Sequence, residues 1–243
     1  MGAPLPAIAS TNWNQLADPI FNTKRSDGSV HPSAADNQLI AWPELFKMLP
    51  QRPALELLDF GCGTGDFANA LVKQGHTVVG LDLAADMVVR AKKNYPELSF
   101  VAGSIDALRS DWHYDAITAV MVFQFVENHK LEELFTKLIC RLKPEGRLIF
   151  AVHNRDYIEA AKAKTQKYFV DPAGQSRIQF ANFGSIPFVA RTADEYTALL
   201  ERLGMKQCAL SLPAFTQEYI ALYGSKGNEP LDTPKFLIMS FSK

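Results

Sequence analysis

The chain has 243 residues, of which 47% are hydrophobic and 21% are charged, and its formal net charge at pH 7 is -1. This is the composition of an ordinary globular protein, so disordered, collagen-like and coiled-coil architectures are excluded. A nearly neutral chain has no general electrostatic attraction to nucleic acid or to an anionic membrane. The length suits a single large α/β domain, and we expect one domain over residues 1–243.

From about residue 55 to residue 153, short apolar runs alternate with helical patterns. Five buried strands are predicted in the order ALELLDF, TVVGLD, LSFVAG, YDAITAVMV and RLIFAVH. The intervening segments, residues 67–73, AADMVVRAKKNY and LEELFTKLICRL, have the spacing of amphipathic helices, and KPEG is predicted to be a turn before the fifth strand. Alternation of this kind is typical of a parallel sheet with helices packed on it.

Two regions depart from this alternation, and we expect them to serve a substrate. The N-terminal one combines isolated aromatic residues with Asn, Asp and Pro, and the other is rich in aromatic residues without a clear strand period. A T-x-x-E capping box at Thr192 and Glu195 follows them and predicts a helix start. The chain is therefore divided into an N-terminal cap, a cofactor-binding core, a substrate lid and the C-terminal part of the core: residues 1–50, 51–153, 154–191 and 192–243.

The cysteines and the first residues bear on the cellular compartment. Cys62, Cys140 and Cys208 are odd in number and form no CxxC pair, so the sequence predicts neither a disulfide framework nor a zinc site. The start, MGAPLPAIAS, lacks the basic and long apolar segments of a secretory signal, and no stretch is long enough to span a membrane. We therefore expect a cytoplasmic protein without a metal.

The stretch LLDFGCGTGDFA, residues 57–68, is the most informative local pattern. Glycines at alternate positions after a strand indicate a loop whose backbone a ligand can approach closely. A dinucleotide-binding loop would have a third glycine where Asp66 stands, because there the helix N-terminus meets a pyrophosphate. A carboxylate at that position repels a diphosphate. It tolerates S-adenosylmethionine, which has a sulfonium, an ammonium and no phosphate.

Asp82 ends the second predicted strand, where the ribose of an adenosine ligand lies in such folds. Its two oxygens are suited to accept hydrogen bonds from the vicinal hydroxyls. The glycine loop alone also fits a plain tight turn from strand to helix. Together with the strand-end acid and the βαβ spacing, it predicts an adenosine-type cofactor.

These motifs resemble those of the class I, Rossmann-like S-adenosylmethionine-dependent methyltransferases. LLDFGCGTGDFANAL is similar to the first motif of that family, VVGLDLAADMVVRAK to its second-strand motif, and VAGSIDAL to its adenine-contacting segment. YDAITAVMVFQFVEN and LKPEGRLIF resemble the fourth strand, its helix and the fifth strand. Within the family the chain looks most like the ubiquinone/menaquinone methyltransferase group. The resemblance implies a Rossmann-like, doubly wound α/β fold with a mostly parallel sheet of seven strands, the last one antiparallel.

The resemblance also implies roles for individual residues. Ser104 and Ile105 are expected to contact the edge of the adenine. Many relatives have an acid at the position of Ser104, so the Ile105 backbone and Asp106 are the alternative partners of the adenine amino group. Arg25 is a candidate partner of the cofactor carboxylate, with an exposed, unpaired arginine as the alternative. The remaining expected cofactor contacts are Asp59, Gly61, Cys62, Gly63 and Gly65 in the first loop, Asp82 at the ribose, Leu83 and Met87 beside the adenine, and Val120 and Met121 beside the methionine chain.

Residues near the fourth and fifth predicted strands are candidates for acceptor chemistry. His153 stands at the carboxyl end of a parallel strand, where α/β sheets place their sites, and is the candidate general base. The alternative is a structural histidine. Gln124 and Asn154 are candidate substrate contacts. Exposed positions are expected for His113, His129, Lys162, Lys164 and Lys167.

We therefore expect an S-adenosylmethionine-dependent methyltransferase that methylates an oxygen or nitrogen of a small molecule, as a monomer or homodimer. The first alternative is a methyltransferase acting on RNA or protein. It is disfavoured because the Asn/Asp-Pro-Pro-aromatic motif of such enzymes is absent where this chain has AVMVFQFV. The second alternative is a non-catalytic binder of S-adenosylmethionine.

Overall fold

The structure is a computed structural model that describes residues 32–180, 184–223 and 229–243. The expectations for Arg25 and for the N-terminal cap as far as residue 31 lie outside the described residues. In chain order the strands are β1 (Glu56–Phe60), β2 (Thr77–Asp82), β3 (Ser99–Ala102), β4 (Tyr114–Val120), β5 (Leu142–His153), β6 (Tyr168–Val170), β7 (Ser176–Phe180), β8 (Gly184–Pro187), β9 (Lys206–Ser211) and β10 (Phe236–Ser242).

Seven of these strands form the central sheet, in the spatial order β3-β2-β1-β4-β5-β10-β9. Strands β1 to β5 are parallel to their neighbours, whereas β10 lies between β5 and β9 and is antiparallel to both. The predicted seven-stranded sheet with an antiparallel last strand is therefore confirmed. Strands β4 and β10 are buried along almost their whole length, as expected of strands covered on both faces.

Helices cover the two faces of the sheet and build two apolar cores. One core contains Leu45, Phe67 and Met87, and the other contains Phe135 and Tyr196. None of the helices in the described part of the chain is long and apolar enough to cross a membrane. The helices are α1 (Pro32–Asp36), α2 (Trp42–Met48), α3 (Asp66–Lys73), α4 (Ala85–Asn94), α5 (Asn128–Cys140), α6 (Arg155–Lys164), α7 (Ala193–Arg202) and α8 (Gln217–Tyr223), with a π-helical turn at Asn37–Ala41 and 3-10 turns at Ile105–Ala107 and Phe123–Phe125.

The KPEG segment is not a separate turn before the fifth strand, because it lies inside β5. The strand pairing jumps there, since Tyr114 is opposite Leu142 but Ala116 is opposite Arg147. The surplus residues bulge out, and Glu145 adopts a left-handed φ of 60°. A Cβ on Gly146 would lie 2.8 Å from the Lys143 carbonyl oxygen, so the tight bulge depends on the glycine.

The segment of residues 154–191 contains more regular structure than its sequence predicts. It begins with α6 and continues into a three-stranded antiparallel sheet in the order β6-β7-β8. Tyr168, Ile178 and Ile186 lie opposite one another in register and are all buried. Each short strand therefore contributes one apolar side chain to a single row, which is too few to produce a visible sequence period. The capping box that follows is confirmed, with Thr192 Oγ1 accepting from the Glu195 amide at 3.2 Å and Glu195 Oε2 accepting from the Thr192 amide at 2.7 Å.

Candidate functional site

A cavity of about 610 Å³ opens at the carboxyl ends of the central parallel strands. This volume and this position are those of small-molecule sites in α/β folds. We call its two ends the glycine end and the lid end. The glycine end is lined by residues 59–64, 81–83 and 103–106, and the lid end by Gln124, His153, Lys167, Ile178, Phe180 and Phe236.

The first glycines after β1 leave room for a ligand, whereas the third serves packing. Gly61 and Gly63 have left-handed φ values of 77° and 53°, and both line the cavity. A Cβ on Gly63 would meet no atom within 4 Å, so it would project into open space. Gly65 is not among the lining residues, and a Cβ there would lie 2.7 Å from Phe100 Cζ. Gly65 therefore allows a close approach of the Phe100 ring, and its expected contact with a ligand stays a prediction.

Asp82 fixes the glycine loop and faces the cavity at the same time. Its Oδ2 accepts from the Gly63 amide and its Oδ1 from the Ala84 amide, both at 2.8 Å. Burial raises the pKa of Asp82, and these two hydrogen bonds act in the opposite direction. A carboxylate has about four lone-pair sites, so each oxygen retains one for a ligand hydroxyl. The geometry is thus compatible with the expected ribose contact.

Asp59 is a buried carboxylate with an unused acceptor. Its Oδ1 accepts from the Thr118 hydroxyl at 3.4 Å, and its Oδ2 has no hydrogen-bond partner among the described residues. Burial, and then the charge of Asp82, raise the pKa of Asp59 to about 7. A ligand ammonium would satisfy this oxygen and favour the ionised form. Two neighbouring acids on the wall fit a cationic ligand such as S-adenosylmethionine and disfavour a diphosphate.

The carboxylate of Asp66 lies beside the glycine end and is held there by two hydroxyl groups that donate hydrogen bonds to it. Its Oδ2 accepts from Thr64 Oγ1 at 2.5 Å and its Oδ1 from the Tyr95 hydroxyl at 2.8 Å. It occupies the first turn of α3, where a dinucleotide site would hold its pyrophosphate. The structure therefore places a negative charge where such a ligand needs a donor.

The residues expected beside the adenine lie on one wall of the glycine end. Ser104 caps the 3-10 turn, with its Oγ accepting from the Asp106 amide at 3.3 Å, and Asp106 accepts from Lys137 Nζ at 2.9 Å. Apart from Arg25 and Gly65, every expected cofactor residue lines the cavity: Asp59, Gly61, Cys62, Gly63, Asp82, Leu83, Met87, Ser104, Ile105, Asp106, Val120 and Met121. Their contacts with a cofactor stay predictions.

Met121 has a backbone conformation that no sequence pattern indicates. Its φ is 61°, in the left-handed region that costs an ordinary residue roughly 1–2 kcal/mol. The residue follows β4 directly, lines the cavity, and donates its amide to the Ala151 carbonyl at 2.8 Å. Non-glycine residues in such conformations cluster at ligand sites, where the surrounding fold compensates for the strain.

His153 lies at the lid end beside Gln124, as expected, but its contacts disfavour a general base. Gln124 Oε1 accepts from the His153 amide at 2.9 Å, which orients Gln124 Nε2 toward His153 Nδ1 at 3.4 Å. Nε2 of a glutamine only donates, so His153 Nδ1 accepts and His153 Nε2 carries the ring proton. Burial, and then the charges of Lys167 and Lys235, hold the pKa of His153 well below its usual range. The catalytic role of His153 stays a prediction, and the geometry favours a neutral hydrogen-bond donor.

Two other expectations near the lid end differ from the structure. Asn154 is the N-cap of α6, where its Oδ1 accepts from the Asp156 amide at 3.3 Å and its Nδ2 donates to the Pro234 carbonyl at 3.0 Å. It does not line the cavity, so we no longer assign it a substrate contact. Lys167 is not on a solvated helix face, because α6 ends at Lys164 and Lys167 lines the cavity.

Arg191 supports the cavity wall from behind. The residue is buried, and its guanidinium donates to Asn128 Oδ1 and to the Phe123 carbonyl at 2.9 Å each, and also to the Val126 carbonyl. These bonds fix the loop that carries Gln124 into the cavity. No sequence motif identified this residue. The described residues also contain no group of three or more His, Cys, Asp or Glu side chains arranged to hold a metal ion.

Comparison with protein families and curated proteins gives partial matches. Residues 57–146 match the family model described as a methyltransferase domain. The ubiquinone biosynthesis O-methyltransferase of Rickettsia conorii is 32% identical over 116 residues, which are 46% of this chain and 39% of that protein. The trans-aconitate 2-methyltransferase of Deinococcus radiodurans is 28% identical over 191 residues, 76% of this chain and 70% of that protein. The chain spans about two fifths of the length of the first of these relatives.

Solved structures resemble the whole fold at low sequence identity. An S-adenosylmethionine-dependent methyltransferase from Mesorhizobium loti matches with a TM-score of 0.64 and 23% identity, over 87% of this chain and 100% of that chain. PH0226 from Pyrococcus horikoshii matches with a TM-score of 0.67 and 20% identity, over 92% and 96% of the two chains. At these identities the likeness establishes the fold.

Proposed function

We propose that the protein is a class I, S-adenosylmethionine-dependent methyltransferase and that it transfers a methyl group from S-adenosylmethionine to a small-molecule acceptor. The match of residues 57–146 to a methyltransferase domain supports this proposal. The observation that carries the proposal is the presence of two acids on the cavity wall, the buried Asp59 and the half-buried Asp82, beside the open glycine Gly63. This arrangement offers carboxylate acceptors and backbone access, and it offers no cationic phosphate clamp.

Individual residues at the glycine end match the groups of this cofactor. The unused Oδ2 of Asp59 is suited to the ammonium, and the free lone pairs of Asp82 are suited to the ribose hydroxyls. Gly63 leaves room for the methionine chain. Leu83 and Ile105 offer apolar contact to the adenine from the same wall.

The protein contributes mainly alignment to such a reaction. When bound, S-adenosylmethionine supplies a methyl group on a sulfonium whose positive charge disappears on transfer. Alignment of two reactants is worth on the order of 7–11 kcal/mol in favourable cases. His153 and Gln124 form a buried, mutually bonded pair at the lid end, and we assign them the orientation of the acceptor.

The size of the acceptor, and the type of atom that receives the methyl group, are inferred from three observations. The whole cavity has a volume of about 610 Å³, and Ile178, Phe180 and Phe236 offer apolar contact at its lid end, which suits a metabolite better than a macromolecule. The formal net charge of -1 gives no attraction to RNA. The relatives named above methylate small molecules by their descriptions, one of them at oxygen. We therefore place O-methylation first and N-methylation second.

The test combines calorimetry with a transfer assay. S-adenosylhomocysteine should bind much more tightly than NAD, and the Asp82→Asn variant should lose roughly tenfold or more in affinity because a charged acceptor is removed. Asp111→Asn, which changes an exposed acid paired with Arg109, is the matched control and should bind normally.

Transfer is then measured with methyl-labelled S-adenosylmethionine and a cell extract separated by size. Label in the small-molecule fraction supports the proposal. Label only in protein or RNA would move the acceptor to a macromolecule. Binding of S-adenosylhomocysteine without labelling of any fraction would favour a non-catalytic binder, and tighter binding of NAD would refute the cofactor assignment.

A further inference from the structure

We propose that the methyl acceptor is a small organic acid with an apolar body, and that Lys167 pairs with its carboxylate. The inference rests on the proposed function and specifies the class of acceptor. It is carried by one cationic side chain at the lid end that has no anionic partner in contact among the described residues.

The backbone of Lys167 is held firmly between α6 and β6. Its amide donates to Thr165 Oγ1 at 3.2 Å, and its carbonyl accepts from the Gln179 amide at 2.7 Å. The side chain is half-buried and lines the cavity, with Nζ 5.8 Å from the centre of the Tyr168 ring. Among the described residues, this ammonium has no hydrogen-bond or ion-pair partner.

The other lysines on the cavity wall all have acidic partners. Lys130 pairs with Glu127 at 3.0 Å, and Lys137 pairs with Asp106 at 2.9 Å and with Glu133 at 3.2 Å. Within the part of the chain that the structure describes, Lys167 is therefore the one lysine of the cavity wall that lacks an anion in contact.

Asp36 is the acid on the cavity wall whose charge acts on Lys167, and one of its oxygens is bound to another lysine while its Oδ1 has no hydrogen-bond partner among the described residues. Asp36 lines the cavity, but its Oδ2 accepts from the fully buried Lys235 at 2.6 Å. Glu229 binds the same ammonium at 3.0 and 3.2 Å. Asp36 and Glu229 thus both contact Lys235, and they act on Lys167 only through space.

The surroundings of Lys167 disfavour the charged form of its side chain when no anion is bound. Burial, and then the charge of Lys235, lower the pKa of Lys167 more than the carboxylates of Asp36 and Glu229 raise it. A cation removed from water without a hydrogen-bonded partner is costly. A ligand carboxylate would remove that cost, because charge-assisted hydrogen bonds are the stronger kind.

The surroundings of Lys167 define the rest of the acceptor. Ile178, Phe180 and Phe236 line the same end and offer apolar contact. A single lysine balances one negative charge, so a monoanionic carboxylate fits better than a phosphate dianion, whose second charge would stay without a partner. The predicted ligand is an aromatic or aliphatic acid whose carboxylate faces Lys167.

The test is calorimetry on the full chain with benzoate, cinnamate and hexanoate, each compared with its primary amide and with inorganic phosphate. Titrations are made with saturating S-adenosylhomocysteine, whose own binding is measured first. We expect at least one acid to bind roughly tenfold or more tightly than its amide. Lys167→Met should abolish that preference, and Lys167→Arg should retain most of it. The matched control is Lys164→Met, an exposed lysine three residues away that lies outside the cavity and should behave as the wild type.

The outcomes separate this inference from the proposed function. The inference is overturned if no acid binds more tightly than its amide, if the preference survives in Lys167→Met, or if phosphate binds more tightly than every acid. Binding of S-adenosylhomocysteine in those cases leaves the cofactor assignment intact. A Lys167-dependent preference for acids without binding of S-adenosylhomocysteine would instead support the anion site and refute the proposed methyl transfer.

Discussion

Replacing Asp59 by Asn should change two quantities in opposite directions, because the charge of this carboxylate favours cofactor binding and its burial lowers the free energy of unfolding. The pKa of Asp59 is about 7 in the folded chain, against 3.8 for an unperturbed aspartate. Between these two values the folded protein holds a proton that the unfolded chain has released. The unfolded chain binds fewer protons there, so the free energy of unfolding falls as the pH rises through this window and levels off above about 7.

The size of the effect follows from the same shift. Moving a pKa from 3.8 to about 7 corresponds to about 4 kcal/mol of stability lost above pH 7. Asparagine has nearly the same shape, has no charge to desolvate, and retains an oxygen that can accept from Thr118. Asp59→Asn should therefore be more stable than the wild type. Its advantage should grow between about pH 4 and 7 and approach 4 kcal/mol at pH 8.

The same substitution should weaken cofactor binding. An ammonium beside Oδ2 of Asp59 lowers the pKa of that carboxyl, so binding near pH 6 releases a proton and the wild-type affinity rises toward pH 8. Asp59→Asn removes the charge-assisted contact, which is worth about 1.5–3 kcal/mol or roughly 10- to 100-fold in affinity. Its affinity should also vary less with pH.

Two assays decide the matter. Denaturant unfolding at pH 5.5 and pH 8 gives the stability difference. Calorimetry with S-adenosylhomocysteine, in two buffers of different ionisation enthalpy, gives the affinity and the number of protons released. A variant that is less stable than the wild type at pH 8, or that binds S-adenosylhomocysteine equally well, would refute the assignment of Asp59 as a desolvated acid reserved for a cationic ligand.

Two further predictions concern the lid end and its support. With saturating S-adenosylmethionine, so that titration of Asp59 does not limit binding, kcat should show no limb between pH 6 and 8, because the pKa of His153 lies well below its usual range. His153→Asn should retain more kcat than His153→Phe, and a limb near pH 6.5 that vanishes in both variants would restore the general base. Arg191→Ala leaves the Phe123 and Val126 carbonyls without their donor and should cost on the order of 3 kcal/mol of unfolding free energy. Arg202→Ala, on an exposed ion pair with Glu132, should cost well under 1 kcal/mol, and equal losses in both arginine variants would show that the buried bonds add no stability.

Local patterns sufficed to predict the parallel part of the fold and most of the glycine end. The apolar run of β2 is long enough by itself to indicate a buried strand. The glycines after β1 likewise indicate the left-handed loop that follows it, without reference to residues elsewhere in the chain. Gly65 shows the limit of this reasoning, because only the structure reveals that its missing side chain makes room for Phe100.

The lid end depends on contacts that no local pattern encodes. Lys167 belongs to a run of lysines spaced as on a helix face, but the helix ends three residues earlier, and Lys167 lies directly before β6 and lines the cavity. Asn154 follows a strand end, where ligand contacts are common, yet it caps α6. Arg191 and Lys235 are buried only because partners far along the chain accept their hydrogen bonds.

The position of β10 between β5 and β9 sets an order of assembly during translation. The ribosome releases all five parallel strands, residues 56–153, long before it releases residue 236, so the outer edge of β5 waits for its neighbour while synthesis continues. An unpaired edge strand invites association with other chains, so we expect the nascent protein to be prone to aggregation during this interval. Insertion of β10 ends it, and the same event brings Lys235 to Asp36, 199 residues earlier in the chain. Nascent chains stalled before residue 236 would thus already contain the glycine loop, both of its acids and every residue of the lid end except Phe236.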